Sequence, residues 1–261
     1  MLDVFGFPSP QQSNYQEFYG GGTVRDWVKP RGVSMVRFML IGAGGGGGNG
    51  TTGGGGGGGG SGAVTSWIGP AIFIPDVLRI TVGVGGTSGV NGGATTVIYQ
   101  AKDSTGYTLL TANGGGSGGA NTTAGVGATA TANNYFGAAG IYTSTAGQNG
   151  SAAEANLNKS DSTFLSGGSG GMSTTNIGTT VVPNYGYPTS VAAPSGANPG
   201  QNGFFIVQPI LVGRGGSGGS TTGSAGGAGG RGGIGCGGGG SGEDALTGGR
   251  GGDGAVFIWS W

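Results

Sequence analysis

Glycine arrives in this chain as runs, and the runs begin where apolar stretches stop. The pattern recurs in LIGAGGGGG (40–48), TVGVGGTSG (81–89), LTANGGGSGG (110–119), FLSGGSGG (164–171) and LVGRGGSGG (211–219), with purer tracts at Gly53–Gly60 and Gly226–Gly240. Of 261 residues, 72 are glycine. Glycine loses the most backbone entropy on folding and has no side chain to bury, so an ordinary helical or α/β core is excluded. Collagen is excluded too, because a triple helix needs glycine at every third position and abundant proline, and here there are 10 prolines without that period.

Disorder normally combines low hydrophobicity with high net charge. This chain has 10 basic and 10 acidic residues and no net charge, so an open form would self-associate and a folded one is expected. A flexible Gly/Ser linker also fits poorly, since the runs interleave with strand-like segments and serine is sparse within them. An extended helix with three residues per turn makes no internal hydrogen bonds, so every N–H and C=O must find a lateral partner. Only glycine lets neighbouring backbones come close enough. Gly53–Gly60 would span roughly 25 Å in that form.

VSMVRFMLI (33–41) reads as a strand buried on both faces except near Ser34 and Arg37. Further strands are expected at Ala63–Ile74, Leu78–Val84, Ala94–Gln100, Tyr107–Ala112, Phe204–Val212 and Ala255–Trp261, and Ala152–Leu165 is the one place for a short helix. The expected fold is mainly β with polyglycine-II-like helices: a glycine-rich sandwich of stacked extended segments capped by short β-strands, with almost no α-helix. Residues 1–22 read as an N-terminal attachment arm, with Phe5, Phe7, Tyr15, Phe18 and Tyr19 as docking aromatics. Residues 23–261 form the glycine-rich domain, in which 120–200 is an exposed variable loop region. That region carries Tyr135, Phe136, Tyr142, Tyr185 and Tyr187 among Asn, Ser, Thr and Gly, the mixture that binding loops use.

Chemistry is sparse. There is no histidine, and the single cysteine, Cys236, lies among glycines without a base and reads as a small buried filler. These absences argue against an enzyme, a disulfide framework and a multi-cysteine metal site, and no cofactor is expected. Gly42-Ala-Gly44-Gly-Gly-Gly47 fits the dinucleotide fingerprint only by glycine background, because no helix start and no acidic residue follow at the required spacing. GGSGEDALT (239–247) and GGRGGDGAV (248–256) fit a tandem calcium-binding β-roll pattern, making Asp244 and Asp253 weak metal candidates. Arg25, Lys29, Arg31 and Arg37 are too few and too offset to suggest nucleic acid. Residues 1–11 lack a basic start and a sustained apolar stretch, so no secretory signal is expected, and 33–41 is too short to insert across a membrane.

The order of Trp27-Val-Lys-Pro30-Arg-Gly32, a strand ending IGAGGGGG, Ile80-Thr-Val-Gly-Val-Gly-Gly86, Ala112-Asn-Gly-Gly-Gly116 and a terminal GGDGAVFIWSW resembles the glycine-rich domain of many bacteriophage virion proteins. The resemblance covers about 23–119 and 201–261. The alternation of glycine blocks with variable polar segments is similar to the tip adhesins of T-even-type phage tail fibres. This resemblance implies a polyglycine-II sandwich at the virion surface, partnered by fibre, tail or capsid proteins, as a homotrimer or bound to a trimer. It also implies a tail-fibre or tail-tip role, with recognition of a bacterial surface protein or polysaccharide. A capsid head-fibre or decoration protein is the structural alternative, and a secreted calcium-binding β-roll protein is the second.

Overall fold

The computed structural model describes residues 14–100, 106–121, 123–132, 139–158, 164–172, 181–182, 196–206, 211–221, 226–245 and 247–261. The protein is mainly β. A five-stranded antiparallel sheet runs in the order β1 (Asn14–Phe18), β13 (Ala255–Ser260), β3 (Met35–Ile41), β4 (Val64–Pro70), β8 (Ile141–Thr145). A four-stranded antiparallel sheet is ordered β2 (Val24–Val28), β5 (Val77–Thr81), β6 (Thr95–Tyr99), β7 (Tyr107–Ala112). Two-residue pairs add β9 (Leu157–Asn158) beside β10 (Val181–Val182) and β11 (Phe205–Ile206) beside β12 (Val212–Gly213). Among the described residues the helical content is a single 3-10 turn, Ala71–Phe73.

The two large sheets share a core in which Phe38, Leu40 and Trp67 of the first meet Trp27, Leu78, Ile80 and Val97 of the second. β3 is buried on its other face as well, where Met39, Ile41, Val64 and Phe257 pack against Leu165 and Cys236. That double burial matches its near-continuous apolar sequence, with Arg37 its exposed member. The short helix expected at Ala152–Leu165 does not form in its described part. Glu154 takes a left-handed turn conformation (φ 63) and Leu157–Asn158 is extended. With little apolar periodicity in that stretch, nothing would hold a helix against the core.

The strands enter the glycine tracts at a common level. Ile41 pairs with both Val64 and Ala255, Val64 with Thr145, and Thr95 with Ala112. Beyond that level the backbone bonds repeat every third residue. Gly42, Gly45 and Gly48 donate to Ala63, Gly60 and Gly57; Ala43 and Gly46 donate to Gly93 and Val90; Gly44 and Gly47 donate to Gly252 and Gly249. The carbonyls of Ala43 and Gly46 accept from Gly115 and Gly118, those of Gly44 and Gly47 from Gly86 and Gly89, and those of Gly45 and Gly48 from Gly238 and Ser241. Segment 42–48 therefore donates to three antiparallel neighbours and accepts from three parallel ones. A direction repeating every third residue is the repeat of an extended helix with three residues per turn.

Segments 56–63 and 235–242 are also bonded on several sides, with a different mixture of parallel and antiparallel neighbours, and bond to each other through Gly59 N–Gly238 O at 2.8 Å. With 42–48 they form a triangle at the centre of a backbone lattice. The spacing explains the composition: a Cβ at Gly44, Gly45, Gly46 or Gly47 would sit 1.9–2.1 Å from a carbonyl oxygen of another segment. The Gly226–Gly240 tract is two columns rather than one. The chain reverses at Gly235 (φ +67), and Gly239 and Gly242 donate back to Gly230 and Gly227.

Serine belongs to this lattice. The hydroxyls of Ser61, Ser166, Ser217 and Ser241 accept from the N–H groups of Gln148, Gly215, Gln201 and Gly50 at 2.6–2.8 Å. Each replaces a carbonyl where none reaches. At the rim, the side-chain oxygens of Asn91, Asn149 and Asn202 serve the N–H groups of Ser117, Gly127 and Arg231.

Candidate functional site

The molecule has two unlike ends. At the sheet end, Asn14 pairs with Ser260, Trp261 O accepts from Ser34 N at 2.6 Å, and Ser34 O accepts from Ala71 N. Lys29 gathers this end by binding the carbonyls of Ala71 and Ile74 and the carboxylate of Asp76 at 2.9 Å. Ile72, on the 3-10 turn, is 85% exposed, and Phe73, Val28 and its ladder partner Val77 are also exposed. Val28 and Ile72 line one cavity of about 470 Å³ with Arg31. At the lattice end the chain turns at Thr51–Gly54, where Thr51 and Gly54 bond each other in both directions. Glu243 accepts from Gly53 N at 2.7 Å and Asp244 from the Thr52 hydroxyl at 3.0 Å, tying that turn to the 243–245 turn.

Of the loop aromatics, Tyr142 lies on β8 and Tyr135, Phe136, Tyr185 and Tyr187 fall outside the described residues. Tyr142 is part-buried at the edge of the main core. Its hydroxyl sits 2.7 Å from the Thr131 hydroxyl and donates to Thr131 O at 2.8 Å. Thr131 and Thr65 both donate to Thr111 O at 2.8 Å, and Ser144 accepts from Thr131 N at 3.0 Å. This hydroxyl network links β4 and β8 of one sheet to β7 of the other through the 129–132 segment. Beside it is a groove of about 400 Å³, lined by Thr108, Leu109, Leu110, Thr111, Asn113, Ala130, Thr131, Ala132 and Tyr142. The network was not foreseen from sequence, since single Thr and Ser residues in polar loops carry no local signal.

Of the arm aromatics, Phe5 and Phe7 fall outside the described residues, and Tyr15, Phe18 and Tyr19 belong to the folded domain. β1 lies along β13, Phe18 joins the main core, and Tyr15 stacks on Trp259 at 5.1 Å between ring centroids. Tyr19 meets Phe257 edge-on at 5.7 Å, and the Arg37 guanidinium lies over Trp259. Partial burial, reinforced by the Glu17 carboxylate, raises the phenol of Tyr15 well above its ordinary range and pushes Tyr19 up to about 12.

Asp253 accepts from Gly85 N at 2.7 Å and pairs with Arg250 at 2.5 Å. Asp244 is engaged at the opposite turn. Among the described residues no group of three or more His, Cys, Asp or Glu side chains is placed to hold a metal, and no helix is long and apolar enough to cross a membrane.

The chain belongs to the glycine-rich domain family, which it matches over residues 19–260. The match starts just after β1 and takes in the remaining strands of both sheets and the lattice. No curated protein matches it in sequence.

Proposed function

We propose that this chain is a structural protein of a bacteriophage virion, at a tail fibre or tail tip, that recognises the host cell surface. In this reading the glycine columns are polyglycine-II helices forming a rigid pedestal, stabilised by lateral backbone bonds in place of a large side-chain core. The observation that carries it is the polarity of the molecule. Asn14 pairs with Ser260 and Trp261 with Met35 at the sheet end that also carries the exposed Ile72 and Phe73, while the lattice projects the other way into polar turns. The exposed group of Val28, Ile72, Phe73 and Val77 at the sheet end suits attachment to another virion protein. A homotrimer, or a mount on a trimer, would bury them and present the turns outward. The order of glycine landmarks along the chain supports the phage assignment.

The test is to locate the chain in particles by labelled-antibody imaging and to exchange residues 120–200 with those of a relative. Tail-tip labelling and an altered host range are expected. Head labelling with unchanged host range would overturn recognition in favour of a capsid decoration.

A further inference from the structure

We propose that the groove between β7 and the 129–132 segment is a binding site for a neutral saccharide. None of the described residues lining it carries a charge, which disfavours phosphate, carboxylate and amine ligands. Its polar groups are those that bind hydroxyls. Thr108 and Thr111 each offer a donor and acceptor, and Asn113, whose Nδ2 is committed to Thr129 at 3.1 Å, can present its Oδ1 as an acceptor. The apolar complement, from Ala130, Ala132, the Tyr142 side chain and the largely buried Leu109 and Leu110, suits the C–H surface of a sugar ring.

The walls are fixed before any ligand arrives. Thr131 is held by Thr111 O, Ser144 and Tyr142 together. Rigid walls spare a ligand the ordering cost that weakens binding to mobile loops. An extended peptide is the competing occupant, because β7 is a sheet edge. Strand addition needs a continuous free edge, and here it is interrupted. Thr111 O is taken by the hydroxyls of Thr65 and Thr131, and Asn113 O by Ala63 N. The uncommitted stretch, Thr108–Leu110, is too short for a ladder.

This site deepens the recognition reading, and only its consequence for host attachment rests on that reading. The probe is a panel of glucose, galactose, N-acetylglucosamine and their short oligomers, followed by saturation-transfer NMR on the full chain. Transfer to at least one neutral sugar is expected. It should be lost in Ala132→Trp, where an indole at an exposed position fills the groove without touching the hydroxyl network, and weakened in Tyr142→Phe. Ala132→Trp should keep the wild-type melting temperature, whereas Tyr142→Phe should lower it modestly by removing the hydroxyl bonded to Thr131. Silence across the panel, equal transfer in Ala132→Trp, or displacement of the sugar by a Thr-rich peptide that binds more tightly would overturn the site. A second arm separates the readings: particles carrying Ala132→Trp should adsorb poorly to host cells. Normal adsorption together with lost sugar binding would leave the site standing and remove its part in recognition.

Discussion

Replacing Gly59 with alanine tests whether packing between glycine columns holds this protein together. A Cβ there would lie 2.2 Å from Gly45 O and 2.7 Å from both Gly45 C and Gly46 O, all backbone atoms in the centre of the lattice. Restoring an ordinary van der Waals separation means parting segments 42–48 and 56–63 by roughly 1 Å. The bonds Gly45 N–Gly60 O at 2.9 Å and Gly48 N–Gly57 O at 2.7 Å would then stretch past useful range. Each buried pair left unmade costs about 1–3 kcal/mol, so two cost about 2–6. Alanine recovers roughly 0.4–1 kcal/mol by stiffening the unfolded chain.

The net loss of about 1–5.5 kcal/mol corresponds to a fall in Tm of about 2–22 °C for a chain of this size. Calorimetry on a graded series provides the check. At Gly116 the nearest atoms to a Cβ are backbone at 3.1 Å, and at Gly119 they are the Thr123 side chain at 3.0 Å, which can give way. The expected order of damage is Gly59→Ala, then Gly116→Ala, then Gly119→Ala. If Gly59→Ala melted within about 2 °C of wild type, lateral packing would not be the source of stability.

Ser166→Ala removes a fully buried acceptor of Gly215 N and should cost about 1–3 kcal/mol by denaturant titration. The raised phenols of Tyr15 and Tyr19 make the β1 edge sensitive to alkali. Unfolded tyrosine ionises near pH 10. The stabilisation is therefore complete below that pH and is lost as pH rises through about 12, because only the unfolded chain releases its protons in that window. An ultraviolet titration should show this, and Glu17→Gln should bring the Tyr19 transition down. Calcium or a chelator should leave Tm unchanged, since Asp253 is already bound to Arg250 and Gly85 N; a chelator-induced fall would restore the metal reading.

The strands that sequence patterning located are largely interior ones. β3, β5, β6 and β13 are apolar on one or both faces and are bounded by glycine. The strands of the two large sheets that it missed, β1, β2 and β8, are all sheet edges. NYQEF, VRDWV and IYTST are largely exposed or half-buried and carry little apolar alternation, so pairing rather than patterning makes them strands. For the same reason the aromatics Tyr15 and Phe18, which look like a free arm in the text, are part of the sheet.

By itself, the sequence determined that the core would be β, that α-helix would be nearly absent, and that glycine would gather where strands end. Those are local properties: side-chain period, backbone freedom and the lack of a Cβ. The tertiary structure decided which column lies beside which, that one glycine tract would reverse at Gly235 into two, and that Ser166 and Ser241 would replace missing carbonyls deep in the lattice. It also brought Thr65, Thr111, Thr131 and Tyr142 together in one hydrogen-bonded network beside a groove. Glycine columns differ in almost nothing locally, so their partners are chosen by where the strands deliver them.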